Sequence, residues 1–423
     1  KDNRGIREDT LILPFPVFEE RREAIDNYEL HFLPNGVHRT KSMKVSNYLF
    51  PMYYLKEGED YLVSTSVYAL IHYKKRFIRN PKFQTTNWYR PTFLTLDQEI
   101  MRARTEHHRS TLEVTDRDTI IELGTQLIQD YITEIEEKLP GWVHIVSMGG
   151  KDSEILVLAD RKERWIVLSG EPNTSLNQNF IKHNDIDIAD FVSVSNDTNN
   201  EFLLEEIIAS DCSFDVAHFR YVKVIHDLVK EHDGKVVLWM GTAGDGIFAP
   251  ELKHRDADYF AVYDLHVGMA MGVLHQLFKN LLDIPVLSPY QSPKFLNELF
   301  YRFDPYFVTR AGDVRPEIGE LLLGRPVWYP SENPFPPPWK RSRFMSIPLY
   351  VNQLKQDGIP CDERPLSSWI VRKRERIVFR IDKVSIKKRS RTSRVLVPVR
   401  RQIAKVFPMF RNKRFEMGAT EIK

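Results

Sequence analysis

The chain has 423 residues, of which 42% are hydrophobic, enough to bury the cores of two domains, and no apolar stretch approaches the ~18 residues of a membrane-spanning helix. Its net charge of +2 is uneven: residues 372–414 hold 17 Lys and Arg against two acidic residues, a local +15 that leaves −13 on the remainder. Only Cys212 and Cys361 are present, which excludes a disulfide framework and a C-x-x-C site and leads us to expect a cytoplasmic location.

Residues 1–112 are predicted to form a small β-rich domain. They contain many aromatic and β-branched residues and few helical periods. Two such runs, 48–55 and 61–67, flank the polar turn 56–60, which is typical of a β-hairpin.

A second domain is predicted over 113–330, and it begins with an amphipathic helix that ends at Pro140. Thr115, Asp116 and Asp118 are its candidate N-caps. Its apolar face consists of Ile120, Ile121, Leu127, Ile128, Tyr131, Ile132, Ile135 and Leu139. Strand and helix patterns then alternate as far as Phe248, which indicates a parallel sheet with crossover helices.

A glycine turn, S-M-G-G-K-D-S at 147–153, follows the apolar strand 142–146 and leads into a helical pattern. This order gathers backbone N–H groups and a helix N-terminus around one point, where a polyphosphate can bind. A carboxylate beside a polyphosphate is repelled unless a divalent cation lies between them, so Asp152 is predicted to bind Mg²⁺. The candidate phosphate-binding residues are Ser147, Gly149, Gly150, Lys151, Asp152 and Ser153.

The turn resembles the pyrophosphate loop S-G-G-x-D-S of the ATP pyrophosphatases, with Met148 at the family's first serine. A second turn, G-T-A-G-D-G-I-F at 241–248, follows the apolar strand 235–240 and is similar to the G-E-G-x-D-E-L-F element of asparagine synthetase and its relatives. Two further stretches, 210–213 and 283–290, resemble that family's D-E-P and R-x-P-F-L-D segments in the same order. Residues 115–330 therefore resemble the asparagine-synthetase-like branch.

This resemblance implies an α/β fold, with a parallel-sheet ATP pyrophosphatase domain of the adenine nucleotide α-hydrolase-like type over 113–330. It implies that Asp152 and Asp245 face one Mg²⁺–ATP, with Gly241 and Gly244 near the nucleotide. The following strand is expected over 164–168, and the implied adenine contacts on this strand and at its end are Leu168, Ser169 and Gly170. Val327 stands where the family has a catalytic lysine, so Arg325 or Lys340 is expected to replace that cation.

The hairpin of residues 1–112 looks like one in the glutaminase domain of asparagine synthetases. Glutamine hydrolysis needs a thiolate or an equivalent nucleophile, and no cysteine precedes Cys212. We therefore expect a degenerate glutaminase-like domain without amidotransferase activity, as in lasso-peptide cyclases and β-lactam synthetases. The implied reaction is adenylation of a small-molecule or peptide carboxylate, followed by amide formation with an amine supplied from outside or by the substrate.

Residues 331–423 are predicted to be a proline-rich linker and a basic helical extension. Nucleic acid, an anionic surface and a partner protein are its candidate ligands, and docking on the acidic body of the chain is the alternative. Two other functions stay open. The turn also resembles that of tRNA-modifying pyrophosphatases, and Met148, Gly246 and Val327 are compatible with a decayed synthetase that acts as a binding or assembly subunit.

Overall fold

The computed structural model describes residues 20–21, 26–29, 35–40, 43–46, 52–75, 82–84, 93–96, 116–195, 203–210, 220–242, 244–248, 272–299, 312–331 and 346–359. Lys1–Leu366 form one compact unit and Ser367–Lys423 a second, and all described residues belong to the first. Of the predicted C-terminal region 331–423, residues 331 and 346–359 are described, whereas its basic stretch 372–414 lies outside the described residues. No helix within the described ranges is both long and apolar enough to cross a bilayer.

The N-terminal part of this unit contains two sheets. Their strands are β1 (Glu20–Arg21), β2 (Asp26–Glu29), β3 (Val37–Thr40), β4 (Met43–Ser46), β5 (Met52–Glu57), β6 (Asp60–Ser64), β7 (Lys82–Gln84) and β8 (Phe93–Leu96). One sheet has the order β1-β3-β6-β5-β7 and the other β2-β4-β8. The predicted hairpin is present as antiparallel β5 and β6, which turn at Gly58 with φ of 64°. Helix α1 (Val67–Lys74) follows it.

A five-stranded parallel sheet forms the centre of residues 116–299, which confirms the α/β class. Its strands are β9 (Val143–Met148), β10 (Ile166–Gly170), β11 (Asp190–Val194), β12 (Val236–Met240) and β13 (Val286–Leu287). The order is β11-β10-β9-β12-β13, and every neighbouring pair is parallel. The chain thus proceeds from β9 first to one side and then to the other. The carboxyl ends of β9 and β12 flank the point where the strand order reverses, which is where open parallel sheets bind ligands.

The described helices of this part and of the residues after it lie before, between and after the strands of the sheet. They are α2 (Arg117–Lys138), α3 (Lys151–Leu158), α4 (Thr174–His183), α5 (Leu203–Ala209), α6 (Tyr221–Glu231), α7 (Gly244–Phe248), α8 (Gly272–Leu282), α9 (Pro293–Glu298), α10 (Arg315–Leu323) and α11 (Ser346–Gln356). Every residue of β12 is buried, as expected for a strand that is covered on both faces.

The start of helix α2 and the face that it buries both follow from its sequence. Of the candidate N-caps, Asp116 caps the helix, since its carboxylate accepts a hydrogen bond from the Thr119 N–H at 2.7 Å. All eight residues of the predicted apolar face are buried. The helix contributes this face to the main core, together with residues of α3, α7 and α10.

Three stacked rings join β9, β12 and the segment before β10. The His144 ring is 5.6 Å from Trp165 and 5.9 Å from Trp239, and the two indoles are 4.9 Å apart. Trp239 Nε1 donates to His144 Nδ1 at 3.0 Å. Because all three side chains are buried, their relative positions hold two sheet strands in register.

A buried polar network attaches the N-terminal part to α8. Asn280 Nδ2 donates to the carbonyls of Thr65 and Ala209 at 3.2 and 2.9 Å, and Thr65 Oγ1 donates to Asn280 Oδ1 at 2.7 Å. The network includes Asn35, whose side-chain amide donates to the Lys279 and Asn280 carbonyls. These buried amide and hydroxyl groups form hydrogen bonds between the N-terminal part and α8, which compensates for their removal from water.

Candidate functional site

The first glycine turn lies between β9 and α3, and the Ser153 side chain holds it closed. Ser153 Oγ accepts a hydrogen bond from the Gly149 N–H and donates one to the Gly150 carbonyl, both at 2.9 Å. The same carbonyl accepts the Ser153 and Glu154 N–H groups. The predicted phosphate-binding turn is therefore present as a strand, a turn and a helix start, and the Ser153 hydroxyl belongs to its internal bonding.

Two asparagines of the next strand–helix connection orient the carbonyls of this turn. Asn173 Nδ2 donates to the Gly149 carbonyl, and Asn177 Nδ2 donates to the Met148 carbonyl, each at 2.9 Å. The sequence analysis did not identify them. A polar residue near the start of a helix is normally interpreted as a helix cap. The local sequence does not indicate that these two side chains contact carbonyls 24 and 29 residues earlier in the chain.

Met148 is completely buried and belongs to the main core. Ser147, one residue earlier, remains within β9 and pairs with Leu168 on one side and Met240 on the other. The methionine at the serine position of the resembled motif therefore serves packing, and Ser147 lies in the sheet before the turn begins.

The second glycine turn packs directly against the first. A Cβ on Gly241 would lie 2.5 Å from the Asp152 carbonyl carbon and 2.8 Å from Ser153 Cα. A Cβ on Gly244 would lie 2.7 Å from Asp152 Oδ1. Only glycine allows the two backbones to approach this closely, so the structure brings the two predicted turns together.

The segment after β13 contacts both turns. Tyr290 Oη donates to the Asp152 carbonyl at 2.8 Å, and Ser288 Oγ donates to the Thr242 carbonyl at 2.8 Å. Thr242 Oγ1 in turn donates to Gln291 Oε1 at 3.3 Å. The stretch that resembles an acceptor-pocket segment thus borders the two glycine turns.

Two cations lie at the start of α3. Arg315 Nη1 donates to Asp152 Oδ1 at 2.6 Å, and the same guanidinium donates to both oxygens of Asp313 at 2.7 and 2.9 Å. Lys151 Nζ is 3.3 Å from Asp313. Burial opposes the charge of Arg315, but its hydrogen bonds and the two carboxylates outweigh burial and raise the pKa of Arg315.

Two further polar groups lie near these cations: Glu154, which is buried, and Tyr329, which is half-buried. Burial raises the pKa of Glu154 to about 7, although the charge of Lys151 acts in the opposite direction. Burial also raises the pKa of Tyr329. Among the described residues, neither Glu154 Oε2 nor the Tyr329 hydroxyl has a hydrogen-bond partner. Because its pKa is raised, Glu154 takes up a proton at higher pH than an exposed glutamate does.

The other predicted site residues have different surroundings. Leu168, Ser169 and Gly170 end β10 and are buried, and the Arg220 and Tyr221 side chains cover Gly170. Asp245 belongs to α7, directly after Gly244, but its side chain lies outside the described part of the structure.

The two predicted catalytic cations do not contribute to the described geometry of the turns. Arg325 donates to the carbonyl of Asn184, which follows the last residue of α4. Asn184 lies at the C-terminal end of α4, whereas the carboxyl end of β10 leads into the N-terminal end of this helix. Arg325 therefore lies away from the carboxyl edge of the sheet. Lys340 is outside the described residues. The guanidinium at the first turn belongs instead to Arg315, which the sequence analysis missed.

The residues at the turns suit a phosphate group better than a metal ion on its own. Apart from its chain neighbours, no atom of the described residues lies within 4 Å of a Cβ built on Gly149, so among them the backbone there is open. Lys151, Arg315 and the first amides of α3 supply positive charge and donors. In the described ranges no group of three or more His, Cys, Asp or Glu could hold a metal. Mg²⁺ commonly takes one or two carboxylates and completes its shell with substrate phosphates, and Asp152 fits that use.

No protein-family model matches the sequence, and no curated protein matches it. The function of the site therefore has to be inferred from its own residues and geometry.

Proposed function

We propose that the protein is an ATP-dependent ligase that adenylates a carboxylate, releases pyrophosphate and joins the acyl group to an amine. The observation that carries this proposal is the contact between the two glycine turns at the strand-order reversal. Gly241 and Gly244 approach Asp152 so closely that one ligand above β9 and β12 would touch both turns. The parallel sheet and the order of the motifs are compatible with the asparagine-synthetase-like ATP pyrophosphatases. The β-rich N-terminal part is compatible with the glutaminase-like domain of that family.

The chemistry requires positioning and charge stabilisation more than covalent participation by the protein. A carboxylate oxygen attacks the α-phosphorus of ATP, and the bond from that phosphorus to the β-phosphate oxygen breaks. The amine nitrogen then attacks the acyl carbon, loses a proton and displaces AMP. Lys151, Arg315 and the N-terminal amides of α3 would hold the departing pyrophosphate and stabilise its charge.

The proposed metal is Mg²⁺, held by Asp152 together with phosphate oxygens and, as the resemblance implies, by Asp245. When bound, it would neutralise charge on the pyrophosphate. Arg315 is better situated than Arg325 to act as the cation that replaces the family's lysine, because its guanidinium contacts Asp152 directly.

Two internal hydrogen bonds favour the alternative of a decayed synthetase. Asp152 Oδ1, the expected metal ligand, accepts a hydrogen bond from Arg315, and the Gly149 N–H bonds Ser153 Oγ. A subunit that had lost ATP would retain such internal pairing. In that case calorimetry would detect no binding of Mg²⁺–ATP.

The test is product analysis with ATP, Mg²⁺, an amine and a panel of free amino acids and peptides. We expect AMP and pyrophosphate in equal amounts, and a decrease of about 100-fold in Asp152→Asn. Asp130→Asn is the matched control, since Asp130 is an exposed carboxylate on α2 that pairs with Lys294. Release of ADP and orthophosphate, or equal rates in wild type and Asp152→Asn, would contradict the proposal.

A further inference from the structure

Arg315 connects the first turn to a segment far away in the sequence. Its side chain is only 14% exposed and lies between Asp152 and Asp313. Nε and Nη2 form a two-point contact with Asp313, while Nη1 reaches Asp152, so a single guanidinium serves two carboxylates. The Asp313 contact uses the fork geometry of arginine, which a lysine cannot reproduce.

The surrounding charges favour this arrangement when no other ion is present. Lys151 also contacts Asp313, and buried Glu154 lies one turn further along α3. Arg315 therefore supplies positive charge at Asp152 in the place where a divalent cation would be needed. A metal ion arriving alone would have to displace a charge-assisted hydrogen bond of 2.6 Å and would be repelled by the guanidinium.

A polyphosphate changes this balance because it offers the guanidinium new acceptors. Phosphate oxygens accept arginine N–H groups as well as a carboxylate does, and they bring the oxygen ligands that Mg²⁺ prefers. Nη1 can exchange partners while Nε and Nη2 stay on Asp313. Binding of a phosphate would then require only that Nη1 exchange its hydrogen bond to Asp152 for one to a phosphate oxygen, while the two hydrogen bonds to Asp313 stay in place.

We infer that Arg315 is a phosphate-binding residue that occupies Asp152 until a nucleotide arrives, so that the metal and the nucleotide bind together and not separately. This inference rests on the proposed function. It assigns to Arg315 a role that the sequence resemblance gave to Arg325 or Lys340. It also gives a role to the ion pair between Arg315 and Asp152.

The test uses the full chain and measures two affinities separately by calorimetry: Mn²⁺ without nucleotide, and ATP in the presence of a chelator. Arg315→Gln should bind Mn²⁺ at least about ten-fold more tightly than wild type, because a cation that competes with the metal at Asp152 is removed. The same variant should bind metal-free ATP at least about ten-fold more weakly. A change in opposite directions cannot arise from a general loss of structure.

Lys294→Gln is the matched control, since it removes a cation from the exposed ion pair with Asp130, and both affinities should stay at wild-type values. If Arg315→Gln does not fold, Arg315→Lys replaces it. Lysine cannot hold Asp313 at two points and also reach Asp152, so smaller shifts in the same directions are expected.

The failures of the two proposals are distinguishable. If wild type binds Mn²⁺–ATP but the Arg315 variants leave Mn²⁺ affinity unchanged, or weaken both ligands together, the inference is overturned and the proposed function stands. If wild type binds ATP neither with nor without Mn²⁺, both are overturned.

Discussion

Gly149 and Gly241 differ in what a methyl group would meet. At Gly149 no side chain or backbone of the described residues, apart from its chain neighbours, lies within 4 Å of the added carbon, and φ is not in the left-handed region, so alanine fits this part of the structure. At Gly241 a methyl group would collide with the backbone of Asp152 and Ser153. The first glycine is thus needed only if a ligand occupies the open space, whereas the second is needed for the fold.

We therefore predict opposite phenotypes for two alanine substitutions. Gly149→Ala should keep the free energy of unfolding within about 0.5 kcal/mol of wild type but lower ATP affinity by at least about ten-fold. Gly241→Ala should lower the free energy of unfolding by roughly 1–3 kcal/mol, because the two turns must separate. Urea denaturation and calorimetry measure the two quantities. Unchanged ATP binding in Gly149→Ala would show that the open space does not receive the nucleotide.

At the scale of elements, the ring stack makes the stability of β9 and β12 depend on pH. Burial, and then the charge of Arg161, lowers the pKa of His144 to about 4. The unfolded chain has an ordinary histidine near 6.5, so it binds more protons than the folded chain between these values. The stabilisation is complete above about pH 6.5 and is lost as the pH falls towards 4.

The prediction compares wild type with His144→Gln, which keeps an acceptor for Trp239 Nε1 and does not titrate in this range. Between pH 7 and pH 4.5, wild type should lose about 2 kcal/mol more free energy of unfolding than the variant. Urea denaturation at a series of pH values measures the difference. Parallel pH profiles would mean that His144 is not held neutral by its surroundings.

Elements with a strong local pattern could be predicted from the sequence. The apolar face of α2 repeats at helical spacing, and the runs at β9 and β12 are bounded by glycine turns, so their type and approximate ends were identified correctly. The predicted and observed boundaries differ by a few residues. Strand β10, for example, was expected over 164–168 and extends over Ile166–Gly170. Strand ends depend on pairing with neighbours, which no local pattern describes.

The site was predictable only where its parts are continuous in the chain. The turn after β9 could be identified because its strand, glycines and helix follow one another. Arg315 could not, because it lies 163 residues from Asp152 and its own surroundings look like an ordinary helix start with a proline. The motif order pointed to Arg325 instead, whose guanidinium contacts the carbonyl after α4.

On the scale of the whole molecule, the order of the strands brings the two glycine turns together. The chain leaves β9, builds β10 and β11 on one side, and returns to place β12 on the other, so turns about ninety residues apart become neighbours. The N-terminal part contacts α8 through Asn280, and α8 leads through Pro285 into β13 and the segment beside both turns. We propose that this arrangement binds one nucleotide at both turns.

The most direct measurement is a crystal structure of the full chain with ATP and Mg²⁺. We expect the phosphates at the start of α3, within hydrogen-bonding distance of the amides of the first turn, with Arg315 Nη1 on a phosphate oxygen and no longer on Asp152. ATP bound elsewhere, with Arg315 still paired to Asp152 and the space beside Gly149 unchanged, would contradict it.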